Sequence, residues 1–236
     1  MMVALGNFLF HYRNILFPVF YLLLFVPSRP LFGSVTVAAL TGLGIVLLGQ
    51  AIRVVTIGLR YIIRGGSKRR VYAKDLVTTG MFSHCRNPLY VGNILIIAGM
   101  GVMADSLLFT AIVLPAFMFA YQAIVRAEEA FLMDKFGDAF RDYMRDVNRW
   151  IPSLSGIGET LSSMDFHGKR VIIREYNSTF IWTVGAVVIV MKNLRALPDR
   201  SIYDAAMPWA IAVTSCLAVA YLVVRFLKKS KRLRDD

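Results

Sequence analysis

Six apolar runs dominate the chain, at about residues 14–27, 33–58, 89–103, 107–125, 177–194 and 206–226. A bilayer's hydrocarbon core takes roughly 17–25 residues of helix to cross. Backbone polar groups inside it must be satisfied by the segment itself. The runs therefore predict an all-α, polytopic membrane protein of about six transmembrane helices rather than a soluble domain. The hydrophobic fraction of 57% agrees, against about 45–50% for a soluble domain. The first run reaches spanning length only if Phe8 to Phe10 are included. The third is short, and only Ala104, Asp105 and Ser106 part it from the fourth. Runs three and four must then form a tight antiparallel hairpin.

The net charge of +12 would raise the question of nucleic acid in a soluble protein. Here the basic residues cluster between apolar runs, which points to membrane lipids as partners and to no nucleic acid. Twenty-one Lys and Arg residues fall before the first run, in segments 59–88 and 126–176, and in the tail after Phe226. The opposite side receives only Arg29, Lys192, Arg195 and Arg200. This asymmetry predicts six spans with both termini and the 59–88 and 126–176 loops cytoplasmic, in a bacterial or archaeal inner membrane or a eukaryotic endoplasmic reticulum. Arg53 and Arg225 lie within apolar runs near their basic ends. Two cysteines, Cys85 and Cys216, suggest no disulfide framework. The start lacks a cleavage site of the secretory type, so no signal peptide is expected.

Three units follow: a two-span unit at 1–58, a core at 59–153 and a loop with two further spans at 154–236. Within the core, Leu132, Phe136, Phe140, Tyr143 and Val147 recur at three and four residues, which predicts a cytoplasmic amphipathic helix. Gly137 is expected to interrupt it, and Trp150 and Pro152 to mark its end. Residues 153–176 read as a looser loop.

The densest polar cluster is "SHCRNPLYVGN", residues 83–93, at the entry to the third run. Asn87 can cap a helix and Pro88 can be its first residue, which alone explains neither Arg86 nor Tyr90. At the far end of the fourth run stand Glu128 and Glu129. The hairpin brings these two ends together. Adjacent carboxylates at an apolar boundary are costly unless paired or bound to a ligand. Arg86 and Arg126 are the nearby partners, and a salt-bridged helix end is one reading. Arg149 is expected at the lipid interface, as are the lone histidines His11 and His84. Arg53 either reaches this region or snorkels. Gly42, Gly44 and Gly49 offer close helix packing. No metal-ligand spacing is present.

The stretch Arg86-Asn87-Pro88-Leu89-Tyr90-Val91-Gly92, followed 36 positions after Gly92 by Glu128-Glu129, resembles the signature of the isoprenylcysteine carboxyl methyltransferase and phospholipid methyltransferase superfamily. "LVTTGMF" resembles its lead-in, and "FGDAFRDYMRDVNRWIP" its downstream block, with Phe140 in place of the first tyrosine. The resemblance covers about residues 40–153. Asn87 stands where the family has histidine, and residues 154–236 extend beyond the family's minimal core.

The resemblance implies S-adenosylmethionine as cofactor. It also implies methyl transfer at the cytoplasmic face to a lipophilic or prenylated substrate that enters from the bilayer. Such a displacement needs alignment and exclusion of water. Arg86 and Glu129 are expected as catalytic residues, with Arg126, by its position, as a further one that would neutralise an anionic substrate. Val77, Gly80, Arg86, Asn87, Pro88, Tyr90, Gly92, Asn93, Glu128 and Glu129 are expected to bind the cofactor. Glu128 or Glu129 suits the ribose hydroxyls and amino group. Arg86 or the helix-start N–H groups suit the carboxylate. Tyr90 packs on the adenine or donates a hydrogen bond. The same motif fits an NADPH-dependent membrane reductase of the sterol type as an alternative, and a non-catalytic member is a third reading. The C-terminal spans either shape substrate entry or form homodimer contacts.

Overall fold

The computed structural model describes residues 1–60 and 73–233. The basic stretch with Arg64, Lys68, Arg69 and Arg70 lies outside the described residues. The described chain is helical: α1 (Met2–Leu22, continued by a 3-10 turn Leu23–Phe25), α2 (Val35–Leu59), α3 (Pro88–Met103), α4 (Leu114–Phe136), α5 (Asp138–Asp146), α6 (Ile157–Ser163), α7 (Gly168–Arg195) and α8 (Ser201–Lys229). Five helices are long and apolar enough to cross a membrane, and α3 is a shorter apolar one. The expected all-α polytopic architecture is what the structure shows. At 16 residues, α3 is about 24 Å long, less than the ~30 Å hydrocarbon core. It is too short to cross such a core by itself.

Packing between α2 and α3 rests on glycines spaced seven apart on each helix. A Cβ on Gly99 would stand 2.6 Å from the Gly42 carbonyl oxygen, and one on Gly49 would stand 2.7 Å from the Gly92 carbonyl oxygen. Small residues let membrane helices approach this closely, because dispersion rather than the hydrophobic effect joins them there. Gly44, read with the other two, faces open space instead. On the other side α1 packs against α4, with Phe17, Phe20 and Tyr21 around the buried Phe117.

The hairpin turn between α3 and α4 forms as its three-residue connection predicts. Asp105 adopts a positive φ of 53°, which a short polar side chain tolerates. Its carboxylate accepts from Leu31 N at 2.8 Å and Phe32 N at 2.9 Å. This fastens the α1–α2 connection to the hairpin tip. A π-helical turn over Phe109–Val113 precedes Pro115. Proline cannot donate to the carbonyl one α-turn back, so the widened turn sits where that bond is already lost.

One region departs from expectation. Residues 153–176 are not a loose loop: α6 forms within them, and α7 begins at Gly168. The charges that disguised this helix crowd its first turns, where Lys169 and Arg174 are exposed while Ile173 and Glu175 are buried. The amphipathic helix after α4 breaks at Gly137 as expected. Its φ of 53° and ψ of −123° lie in a region only glycine occupies readily.

Candidate active site

The two ends of the hairpin do meet. Arg86 NH2 lies 3.1 Å from Glu129 Oε1, and the Tyr90 hydroxyl donates to Glu128 Oε1 at 2.8 Å. The adjacent carboxylates serve different faces of α4, about 100° apart. Glu129 faces a closed, packed region. It accepts from Arg149 Nε at 2.9 Å and Arg149 NH2 at 2.6 Å in bidentate fashion, the geometry that makes arginine–carboxylate pairs strong. Arg86 also donates to the carbonyls of Met144 at 2.7 Å and Val147 at 2.9 Å. The void beside Arg86, Glu128, Glu129 and Phe140 is about 10 Å³, roughly one water's worth.

Glu128 instead opens onto a cavity of about 670 Å³, within the ~300–1,000 Å³ range of ligand sites. Its wall comes from five helices. Helix α1 supplies Arg13, Asn14 and Phe17; α2 supplies Arg53; α3 supplies Tyr90 and Asn93; α4 supplies Tyr121 and Glu128; and α7 supplies Asn177 and Ile181. Asn87 and Phe82 close the loop end. The lining is mixed: two arginines, a carboxylate and four asparagines beside aromatic and aliphatic side chains.

Asn87 begins α3, but its side chain makes no capping bond. Its backbone carbonyl accepts from Tyr90 N and Val91 N, both at 3.0 Å. Its amide Nδ2 donates to the Arg149 carbonyl at 3.2 Å. Pro88 takes the first helical position, whose N–H would be unbonded anyway. Arg86 N donates to the Asn148 carbonyl at 2.9 Å. The motif loop and the segment after α5 are thus sewn together by backbone as well as by ions.

The remaining sequence-derived candidates distribute unevenly. Asn93 lines the cavity and accepts from Arg53 NH1. Gly92 lies against Gly49 and the Arg53 side chain. Gly80, with a φ of 64°, is buried near Leu59, Arg60 and Met164, and Val77 is half-buried before it. Neither lines the cavity. Arg126 is exposed and does not join the Glu128–Glu129 cluster, because it sits on another side of α4. Arg149, expected at the lipid interface, takes the role of partner to Glu129. His84 is buried rather than interfacial, bonded to the Ser153 carbonyl at 2.9 Å and Thr160 Oγ1 at 2.8 Å. Cys85 is buried beside it, and burial pushes its thiol pKa up.

Sequence reasoning missed Arg13, Asn14, Tyr121 and Asn177 as wall residues. Arg13 carried a signal, as a cation at the edge of the first run. Asn177 carried none, because α7 was expected to begin there rather than nine residues earlier.

Residues 35–139 match the phospholipid methyltransferase family. That span contains the whole Arg86–Tyr90 motif and the Glu128–Glu129 pair. Curated relatives agree in part. The chain is 45% identical over 80 residues to a cobalt-zinc-cadmium resistance protein of Cupriavidus metallidurans, covering 34% of this chain and 37% of that one. It is 43% identical over 81 residues to a nickel-cobalt-cadmium resistance protein of Alcaligenes xylosoxydans xylosoxydans, covering 34% and 38%. It is 34% identical over 121 residues to a protein-S-isoprenylcysteine O-methyltransferase of Schizosaccharomyces pombe (strain 972), covering 48% of each. The chain thus spans less than half the length of these relatives. No solved structure matches it significantly. Among the described residues no group of three His, Cys, Asp or Glu side chains is placed to hold a metal ion.

Proposed function

We propose that this protein is an integral membrane methyltransferase that uses S-adenosylmethionine to methylate a lipophilic substrate. The observation that carries the reading is the Glu128–Tyr90 pair on the wall of a cavity of about 670 Å³, both residues lying within 35–139, the stretch that matches the phospholipid methyltransferase family.

The donor set fits the cofactor. Its ribose hydroxyls and amino group need acceptors, which Glu128 and the asparagine side chains provide. Its carboxylate needs donors, which Arg13, Arg53 and the asparagine amides provide. When bound, it supplies an electrophilic methyl group on a sulfonium. The protein's part is to hold and align. Tyr90 fixes the Glu128 carboxylate by its hydroxyl, so an acceptor is preorganised rather than solvated. Phe17, Leu89 and Ile181 exclude water from the same wall. Asn87 stands where the family has histidine, and its amide fastens the motif loop to Arg149. That role needs a hydrogen-bond donor and no titrating group.

Glu129, Arg86 and Arg149 form the frame behind the cavity and keep α3, α4 and the segment after α5 in register. The distribution of Lys and Arg supports a cytoplasmic position for this cavity. The span lengths and the apolar part of the lining, Phe17, Leu89 and Ile181, support entry of the substrate from the bilayer, and α1 and α7 form the walls between which it would pass.

The test is direct. Purified protein in detergent should bind S-adenosylmethionine in the micromolar range by calorimetry. Membranes given methyl-labelled cofactor should yield a labelled lipid on extraction. Folded protein that binds no cofactor overturns the reading.

A further inference from the structure

Glu175 is an unusual residue to find where it is. It lies on α7, outside residues 35–139, and is 3% exposed. A buried carboxylate in a membrane-spanning helix is expensive and marks function or a partner. Its partner is Arg53 on α2. Arg53 Nε donates to Glu175 Oε2 at 2.9 Å, and Arg53 NH2 donates to Glu175 Oε1. Gln50 Nε2 adds a third bond at 3.2 Å, and Trp182 Nε1 holds Gln50 Oε1 at 2.8 Å. The other side of the guanidinium donates to Asn93. Arg53 lines the cavity, whereas Glu175 stands behind it.

Among the described residues, the acidic and basic side chains on the cavity wall are Arg13, Arg53 and Glu128. On their own they carry a net positive charge. Glu175 cancels it from behind. We propose that Glu175 is a positioning residue: it neutralises and orients Arg53 so that the cavity accepts a cationic sulfonium ligand. The proposal rests on the cofactor reading above. It gives the C-terminal extension a defined task, which is to set the charge of a site built mostly by the family core.

Charge provides a readout that packing does not. S-adenosylmethionine carries a sulfonium. Its demethylated product, S-adenosylhomocysteine, has a neutral thioether of nearly the same shape. Calorimetry on the full-length protein in detergent measures the affinity of each. Glu175→Gln leaves Arg53 uncompensated and should lower the sulfonium-to-thioether affinity ratio about tenfold, the scale of one unit charge ~10 Å away at an effective dielectric of ~20. Arg53→Gln leaves Glu175 unpaired and should raise that ratio. The double variant Arg53→Gln/Glu175→Gln should restore it, and still decides the matter if Glu175→Gln does not fold. Equal changes for both ligands, or a ratio indifferent to all three variants, overturn the proposal and leave the cofactor reading standing. Folded wild-type protein that binds neither ligand overturns the cofactor reading itself.

Discussion

The Tyr90 hydroxyl donates to Glu128 Oε1 at 2.8 Å, one residue away from a glutamate whose carboxylate turns instead to Arg86 and Arg149. The two residues are adjacent in sequence, yet one faces the cavity and the other the packed frame. Tyr90→Phe keeps the ring, which packs against Tyr121 at a centroid distance of 5.2 Å, and removes only the donor. A hydrogen bond to a charged group contributes roughly 1.5–3 kcal/mol. Cofactor affinity, measured by calorimetry, should fall about tenfold, and the melting temperature should fall modestly because the bond lies within the folded protein.

Glu129 predicts a larger effect on stability. Its carboxylate is the common partner of Arg86 and Arg149, with side chains about one-tenth to one-fifth exposed. Glu129→Gln leaves two guanidiniums facing each other across a largely dry gap. Removing one partner of a buried ion pair costs about 3–5 kcal/mol, because the remaining charge is stranded. The expected result is a loss of ~3 kcal/mol in stability, seen as a lower melting temperature in detergent. Adding Arg149→Met should recover part of that loss.

The contrast shows what could be read from the chain itself. The hairpin was legible because three residues cannot separate two apolar runs by any other path. The meeting of Arg86 and Tyr90 with the glutamates followed from it. Which glutamate faced the cavity was not legible, since that depends on the rotation of α4 about its axis. Arg149 was hidden because its partner lies 20 residues back and across a turn. Glu175 was hidden because Lys169, Arg170 and Arg174 disguise the first turns of α7 as a loop. An isolated carboxylate in such a stretch reads as solvated until its neighbour Arg53 is placed.

Cys85 offers a test of the loop around the motif. The thiol is buried, its Sγ approaches the Arg149 carbonyl at 3.5 Å, and burial holds its pKa above the ordinary 9.0. The thiolate is the reactive form. Maleimide labelling of Cys85 at pH 8 should therefore be slow in the folded protein and fast in denaturant, read by mass spectrometry of the peptide. The folded state keeps the proton more tightly than the unfolded chain. The stability this contributes is present below the ordinary thiol pKa and is lost as pH rises from there through the folded value. Cys85→Ser should flatten that alkaline decline.

The glycine seam between α2 and α3 makes the last prediction, and it isolates packing from chemistry. At Gly99 an added methyl would stand 2.6 Å from the Gly42 carbonyl oxygen and 2.7 Å from Val46 N. Both are backbone atoms of a helix that cannot move without its neighbours. Gly99→Ala should destabilise the protein by about 1–3 kcal/mol, the usual cost of overpacking. At Gly44 nothing lies within 4 Å of the same methyl. Gly44→Ala should be neutral or slightly stabilising, since alanine is the better helix former by up to ~1 kcal/mol. Thermal unfolding in detergent compares the two directly. Equal effects at the two positions would mean that α2 and α3 do not meet along this seam. The Arg53–Asn93 contact, which the seam brings within reach, would then have no basis.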